Sequence, residues 1–127
     1  MSKPTTILLV DDEIEIISVM SDMLQFLGCE VLTATNGFSA LQQFQQYNQD
    51  IDAVMLDLSM PDASGIEIFQ NIRAIRSDVP VFIISGYTEE DSADRFIDPP
   101  DGFLQKPIHL QQMRELLNNI NCPNILA

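Results

Sequence analysis

Short apolar runs alternate along the chain with longer segments in which apolar residues recur every three or four positions. The first run, residues 5–10, is rich in β-branched residues and stops abruptly at Asp11, as a strand buried on both faces does when it reaches a loop. Across residues 14–27 the apolar positions follow helical spacing, and Gly28 supplies a stop signal. The chain therefore opens with a predicted strand followed by a predicted helix.

The same alternation continues to the end of the chain. It predicts further strands at residues 29–34, 52–57, 80–84 and 103–105, and helices from an N-cap at Asn36 to Tyr47, over residues 66–75, weakly over the polar residues 89–95, and over residues 108–120. Parallel neighbours need helical crossovers, so five such units predict an α/β, three-layer, flavodoxin-like (βα)5 fold. We use the strand order 2-1-3-4-5 for its parallel five-stranded sheet.

Two of the predicted helices carry clear apolar stripes. The stripe of the first helix includes Ile14, Ile17 and Leu24, and that of the second includes Phe38 and Phe44. Spacing of this kind is typical of helices that pack one face on a sheet.

Length and composition fit one domain. With 127 residues, 46% of them hydrophobic, we expect a single domain over residues 1–127 with a core over about 5–120.

Nineteen acids against six bases give a formal charge of -13, which would repel a phosphate backbone and argues against nucleic-acid binding. No apolar run approaches the roughly 20 residues of a membrane span, and the start lacks a signal peptide. We expect a cytoplasmic chain without membrane contact, in which Cys29 and Cys122 are reduced.

Polar residues collect where the predicted strands end. Strand one is followed by Asp11 and Asp12, strand three ends in Asp57, strand four leads into Ser85, and strand five leads into Lys106. Ligand chemistry in open α/β sheets lies outside the carboxyl ends of the strands. In the order 2-1-3-4-5 the ends of strands one and three are neighbours, so three carboxylates should lie within a few ångströms of one another.

Such a cluster is typical of a cation site. Three neighbouring carboxylates repel one another unless a cation lies among them, and oxygen ligands suit a hard divalent ion such as Mg²⁺. The three aspartates and Lys106 carry two net negative charges, which one divalent ion cancels. Asp57 is then a candidate nucleophile for phosphoryl transfer, with the Lys106 ammonium and the Ser85 hydroxyl as candidate donors to phosphoryl oxygens. Taken singly, each residue also has an ordinary role, and Asp12 in particular is a candidate helix cap.

With these residues the chain resembles the receiver domains of two-component response regulators. The resemblance covers residues 6–120 and rests on the segments 7–13 (ILLVDDE), 57–61 (DLSMP) with Gly65, 84–86 (ISG) and 103–107 (FLQKP). It implies that Asp57 accepts a phosphoryl group from a histidine kinase or a histidine phosphotransfer protein. It also implies that Mg²⁺, or Mn²⁺, is bound by Asp12, Asp57 and the backbone carbonyl of Ser59, and by Asp11 mainly through water.

The resemblance further implies a conformational switch. Ser85 would turn toward the phosphoryl group and Phe103 would swing inward behind it, while Ser59 and Tyr87 would govern access of water to the pocket. Phe103 stands where the family often has Tyr, and a permanently buried ring is the alternative for this residue. After Lys106 and Pro107 the family often has an aromatic residue, whereas this chain has Ile108.

No output domain follows the last predicted helix, so we expect output through contact with a partner protein, and a monomer. Residues 85–87, 95–96 and 102–107 resemble the receivers at the C-terminus of hybrid sensor histidine kinases, which favours a domain from such a kinase, in the cytosolic part of a membrane-bound parent. A free-standing single-domain regulator is the alternative.

Other classes fit the residues less well. A haloacid-dehalogenase-type phosphatase also uses a strand-end aspartate and Mg²⁺, but it needs a second carboxylate two residues after the nucleophile, where this chain has Ser59. A flavodoxin-like binding module needs a phosphate cradle where the chain has Asp11, Asp12 and Glu13. A scaffold without phosphorylation would not need the complete set of polar residues at the strand ends.

Overall fold

The structure, a computed structural model, describes residues 4–58, 65–85 and 100–119. These ranges contain five strands and four helices, which we number in chain order: β1 (Thr6–Val10), α1 (Ile14–Phe26), β2 (Glu30–Ala34), α2 (Gly37–Tyr47), β3 (Ala53–Asp57), α3 (Gly65–Ile75), β4 (Val81–Ser85), β5 (Gly102–Gln105) and α4 (Leu110–Asn119). The polar helix predicted over residues 89–95 lies outside the described residues. None of the described helices is both long and apolar enough to cross a membrane.

The strands form one parallel sheet in the order β2-β1-β3-β4-β5, which confirms the predicted α/β fold and strand order. The register aligns Val10 of β1 with Leu56 of β3 and aligns Asp57 with Ile84 of β4. Strands β1 and β3 therefore end side by side. The residues that follow Val10 and those at the end of β3 meet at one edge of the sheet.

Apolar side chains cover both faces of the sheet. On one face a cluster that includes Leu8, Val54 and Ile83 packs with α2 and α3, and on the other face a cluster that includes Ile7 and Met55 packs with α1 and α4. Alternate residues of each central strand thus point to opposite faces, and both faces are apolar. This is the reason for the continuous apolar runs in the sequence.

Local signals fix the helix ends. Asn36 caps α2 through its side chain, whose Oδ1 accepts a hydrogen bond from Ser39 N at 2.8 Å, as predicted. Gly28 follows α1 with a φ of 94°, a left-handed conformation that favours glycine. The N-cap of α1 is Glu13 and not Asp12, so the capping role considered for Asp12 is wrong. The side chain of Glu13 makes no capping hydrogen bond.

The apolar stripes are only partly buried. Leu24 and Phe44 are fully buried, but Ile14 is 73% exposed and Phe38 is 70% exposed. Both exposed residues lie in the first turn of their helices, next to the loops at the carboxyl edge of the sheet. Helical spacing predicts the helix but does not show where its packed length begins. Cys29 is buried and is not part of a disulfide, and Cys122 lies outside the described residues.

Asp101 fastens β5 to the sheet. Its Oδ2 accepts hydrogen bonds from Val81 N at 2.7 Å and from the Arg73 guanidinium at 2.6 Å, and its own N–H donates to the carbonyl of Val81 at 2.8 Å. Arg73 also lies over the Phe69 ring, 5.0 Å from its centroid. One carboxylate thus joins β4, β5 and α3 just before the strand that leads to Lys106.

Gly65 allows α3 to begin against the end of β3. Its N–H donates to the carbonyl of Leu58 at 2.9 Å. A Cβ at this position would lie 2.5 Å from Leu58 Cα and 2.7 Å from the carbonyl oxygen of Asp57. These are backbone atoms that cannot rotate away, so a side chain here would displace the chain around Asp57.

We expect Gly65→Ala to destabilise the protein by about 1–3 kcal/mol, the usual cost of forcing extra atoms into a packed site. Alanine is the better helix former by roughly 1 kcal/mol, so helix propensity alone predicts the opposite sign. Urea denaturation measures the change, with Gln70→Ala on the exposed side of α3 as a control expected within about 0.5 kcal/mol of wild type. A Gly65→Ala variant as stable as wild type would contradict the close packing.

Candidate functional site: an acidic cluster with one lysine

Three carboxylates meet at the carboxyl edge of the sheet. Asp11 and Asp12 directly follow β1, and Asp57 is the last residue of β3. One carboxylate oxygen from each of the three lies within 4.8 Å of the others. Asp11 is fully buried, Asp57 is 4% exposed, and Asp12 is exposed. The three carboxylates are therefore close together, as the strand order predicted, and the structure adds that Asp11 and Asp57 are buried while Asp12 faces solvent.

Lys106 faces these acids from the segment after β5. Its Nζ lies 2.9 Å from Asp11 Oδ2, 3.2 Å from Glu13 Oε1 and 3.6 Å from Asp57 Oδ2. The peptide bond from Lys106 to Pro107 is cis. The ammonium is thus shared by three acids, of which two, Asp11 and Asp57, are predicted members of the site.

The acids determine the ionisation of this lysine. Burial alone would lower the pKa of Lys106, but the neighbouring Asp11, Asp57 and Glu13 carboxylates outweigh burial and raise the pKa above its ordinary value. Lys106 is therefore charged at neutral pH. Its charge offsets part of the repulsion between the aspartates.

Asp11 has one oxygen in a hydrogen bond and one without. Its Oδ1 accepts a hydrogen bond from Glu13 N at 2.9 Å. Its Oδ2 is buried and makes no directed hydrogen bond, so its 2.9 Å contact with Lys106 is an ion pair. A buried carboxylate oxygen without a hydrogen bond, beside two further carboxylates, offers the ligands that a hard divalent cation prefers. The residues present fit such an ion.

The remaining predicted residues stand as follows. Ser85 is the last residue of β4, where the sheet pairs it with Gln105. Phe103 on β5 is half-buried and packs against the apolar cluster between the sheet and helices α2 and α3. Ser59 and Tyr87 lie outside the described residues. The Ser85 and Phe103 switch and the access roles of Ser59 and Tyr87 stay predictions.

Sequence reasoning missed the contribution of Glu13. The sequence pattern predicts site roles for Asp11 and Asp12 but none for Glu13. The structure places its Oε1 in a hydrogen bond to Lys106 Nζ, 93 residues away in the chain. The available signal was the position of Glu13, three residues past the end of β1 and directly before α1, at the edge of the sheet where the other site residues lie.

The chain belongs to the response regulator receiver domain family, whose model matches residues 7–118. Among curated proteins it is 40% identical over 84 residues to the transcriptional regulatory protein CpxR homolog of Haemophilus influenzae, covering 66% of this chain and 35% of that protein. It is 31% identical over 114 residues to the autoinducer 1 sensor kinase/phosphatase LuxN of Vibrio campbellii, covering 90% of this chain and 13% of that protein. The chain thus spans about half or less of the curated relatives that it matches.

A solved structure shares the fold over nearly its whole length. The response regulator protein TrrA of Thermotoga maritima, in complex with Mg(2+)-BeF, superposes with a TM-score of 0.78 and is 29% identical, covering 91% of this chain and 98% of that one. Fold, family and strand-end residues therefore agree. The receiver-domain interpretation of the sequence is confirmed.

The raised pKa of Lys106 predicts how its contribution to stability depends on pH. A lysine whose pKa is higher in the folded protein than in the unfolded chain stabilises fully below the unfolded pKa, about 10.4, and loses that contribution as the pH rises through the folded value. We expect the stability difference between wild type and Lys106→Met, measured by urea denaturation in chelator, to be constant from about pH 8 to 10. It should shrink above that range. A difference that persists unchanged at higher pH would contradict the ion pairs.

Proposed function

We propose that this receiver domain accepts a phosphoryl group on Asp57 and so relays a signal to a partner protein. The observation that carries the proposal is the surroundings of Asp57: a carboxylate that is 4% exposed, with Asp11 and Asp12 on one side and the Lys106 ammonium 3.6 Å away. This acid is thus almost removed from water and lies beside a positive charge. It is then a nucleophile that water does not fully solvate.

The transfer is a displacement at phosphorus. A carboxylate oxygen of Asp57 forms a bond to the phosphorus while the bond from phosphorus to the donor nitrogen of a phosphohistidine breaks, and the electron pair leaves with the imidazole, which takes up a proton. Lys106 contributes positive charge toward a phosphoryl oxygen. Ser85, at the end of the neighbouring strand, is proposed to donate its hydroxyl to another.

A divalent metal completes the charge balance. We propose that Mg²⁺, or Mn²⁺, is held by Asp12 and Asp57 with the Ser59 carbonyl, and by Asp11 mainly through water; when bound it neutralises charge on the phosphoryl oxygens. The support is the cluster of three carboxylates with oxygens within 4.8 Å. The Mg(2+)-BeF complex of the TrrA protein supports the same ion.

The phosphodonor is proposed to be a histidine kinase or a histidine phosphotransfer protein. Its imidazole must come within a few ångströms of Asp57, so the donor protein has to rest on the rim of the site. Beside Lys106 lies an apolar recess of about 100 Å³, lined by Ile16, Val19, Met20, Lys106, Pro107 and Ile108. Because Lys106 lines both the recess and the acidic cluster, we propose that the apolar surface around the donor histidine seats here.

We further propose that residues 1–127 form one receiver domain of a hybrid histidine kinase, acting as a monomer in the cytosol. Its similarity to the LuxN sensor kinase/phosphatase over 90% of the chain supports this origin. A free-standing regulator would use the same site. In either setting the proposed output is a change of partner contact as Ser85 and Phe103 respond to the phosphoryl group.

Asp57→Asn should abolish phosphorylation, because the amide is no nucleophile. The measurement is incubation with acetyl phosphate and Mg²⁺ followed by intact-mass analysis for an acid-stable, base-labile adduct. Asp22→Asn, which removes the same charge from the exposed side of α1, is the matched control and should label as wild type does. Labelling of Asp57→Asn at the wild-type rate would refute the acceptor assignment, and many phosphoesters turned over by wild type would favour a phosphatase.

Asp12→Ala should weaken Mg²⁺ binding by at least about tenfold, since even the loss of an indirect ligand contact typically has an effect of this size. Isothermal titration calorimetry with MgCl₂ measures the affinity, with Asp22→Asn again as the charge-matched control. Unchanged affinity in Asp12→Ala would remove Asp12 from the proposed metal site. It would leave the test of Asp57 untouched.

A further inference from the structure

Glu13 closes a ring of three residues around the lysine. Its backbone N–H donates to Asp11 Oδ1 at 2.9 Å, its side-chain Oε1 accepts a hydrogen bond from Lys106 Nζ at 3.2 Å, and Lys106 Nζ pairs with Asp11 Oδ2 at 2.9 Å. The third acid, Asp57, lies outside this ring, 3.6 Å from the ammonium. That distance exceeds a hydrogen bond between nitrogen and oxygen.

We propose that Glu13 is a positioning residue that holds Lys106 on the Asp11 side of the site, and that it thereby limits how readily the lysine serves a phosphoryl group on Asp57. The first part of the proposal concerns the resting position of Lys106 and needs no assumption about function. The second part rests on Asp57 as the phosphoacceptor.

The backbone of Glu13 is fixed on both sides. Its N–H is bound to Asp11, and its carbonyl accepts the hydrogen bond of Ile17 N at 3.1 Å, which begins α1. Glu13 therefore cannot follow the ammonium toward Asp57 by moving its backbone. When Nζ turns to an oxygen bonded to Asp57, the hydrogen bond to Glu13 has to lengthen or break.

The exposure of the Glu13 side chain determines how strongly Glu13 can hold Lys106 in place. Its side chain is 60% exposed, whereas that of Lys106 is 18% exposed, so water replaces the lysine at Glu13 at little cost. An exposed ion pair of this kind contributes a small free energy. Glu13 therefore shifts the equilibrium between Lys106 near Asp11 and Lys106 near Asp57 by a few-fold and does not fix the lysine in one position. The negative charge of Glu13 also repels an incoming phosphoryl dianion, and this repulsion likewise slows phosphorylation of Asp57.

The resting position of Lys106 can be measured by chemical labelling, because the chain has only two lysines, Lys3 and Lys106. The intact protein is treated with trace acetic anhydride at one fixed pH in chelator, and mass spectrometry gives the acetylation of Lys106 relative to Lys3 as an internal reference. An ammonium held in the ring reacts slowly. We expect Glu13→Gln to raise the ratio about two- to fivefold.

The matched control is Glu15→Gln, which removes the same charge two residues away from an exposed position in the first turn of α1. It should leave the acetylation ratio within about 1.5-fold of wild type, since a charge at longer range is screened by salt. Thermal melts of both variants confirm that they are folded.

Phosphorylation by acetyl phosphate at saturating Mg²⁺ tests the second part. We expect the initial rate to rise about two- to fivefold in Glu13→Gln and to stay at the wild-type value in Glu15→Gln. An unchanged acetylation ratio in Glu13→Gln, or an equal rise in Glu15→Gln, overturns the positioning role. A raised ratio with an unchanged phosphorylation rate overturns the link to phosphoryl transfer. Failure of wild type to be labelled at all refutes the proposed function instead, and the acetylation result still decides the position of Lys106.

Discussion

The repulsion between buried carboxylates at one edge of the sheet is the constraint on which this structure depends. Asp11 and Asp57 are almost entirely removed from water and lie within 4.8 Å of each other and of Asp12. Ionised acids in such a place repel one another strongly, because the protein interior screens charge less than water does. In the described parts of the chain, the Lys106 ammonium is the cation that contacts them. The domain thus keeps a charge imbalance that suits a metal and a phosphoryl group.

The aspartates and Lys106 are brought together by the register of the sheet and not by their closeness in the sequence. Parallel pairing of β1 with β3 brings two strand ends together, and β5, fastened by Asp101, carries Lys106 to the same edge. Gly65 lets α3 start against the backbone of Asp57 and Leu58. Strand pairing and the close approach at Gly65 are backbone packing, whereas Asp101 acts through its carboxylate, which binds Val81 N and the Arg73 guanidinium.

The strands and the polar residues at their ends could be predicted from the sequence, for physical reasons. Strands buried on both faces are continuous apolar runs, so their ends are sharp, and the polar residues at those ends are easy to recognise. Side-chain direction was harder: Ile14 and Phe38 follow helical spacing yet are exposed, because the first turn of each helix extends past the sheet that it covers. The contact between Glu13 and Lys106 also escaped prediction, since it depends on a loop conformation that hydrophobic spacing does not encode.

The position of Lys106 late in the chain bears on how the protein folds during synthesis. Lys106 and Glu13 are separated by 93 positions, and β5 is the last strand within the described residues. During synthesis, the acids after β1 emerge from the ribosome long before their counter-charge does. An N-terminal fragment that ends before β5 lacks this counter-charge. Docking of β5 is then the step that brings the Lys106 ammonium to the aspartates.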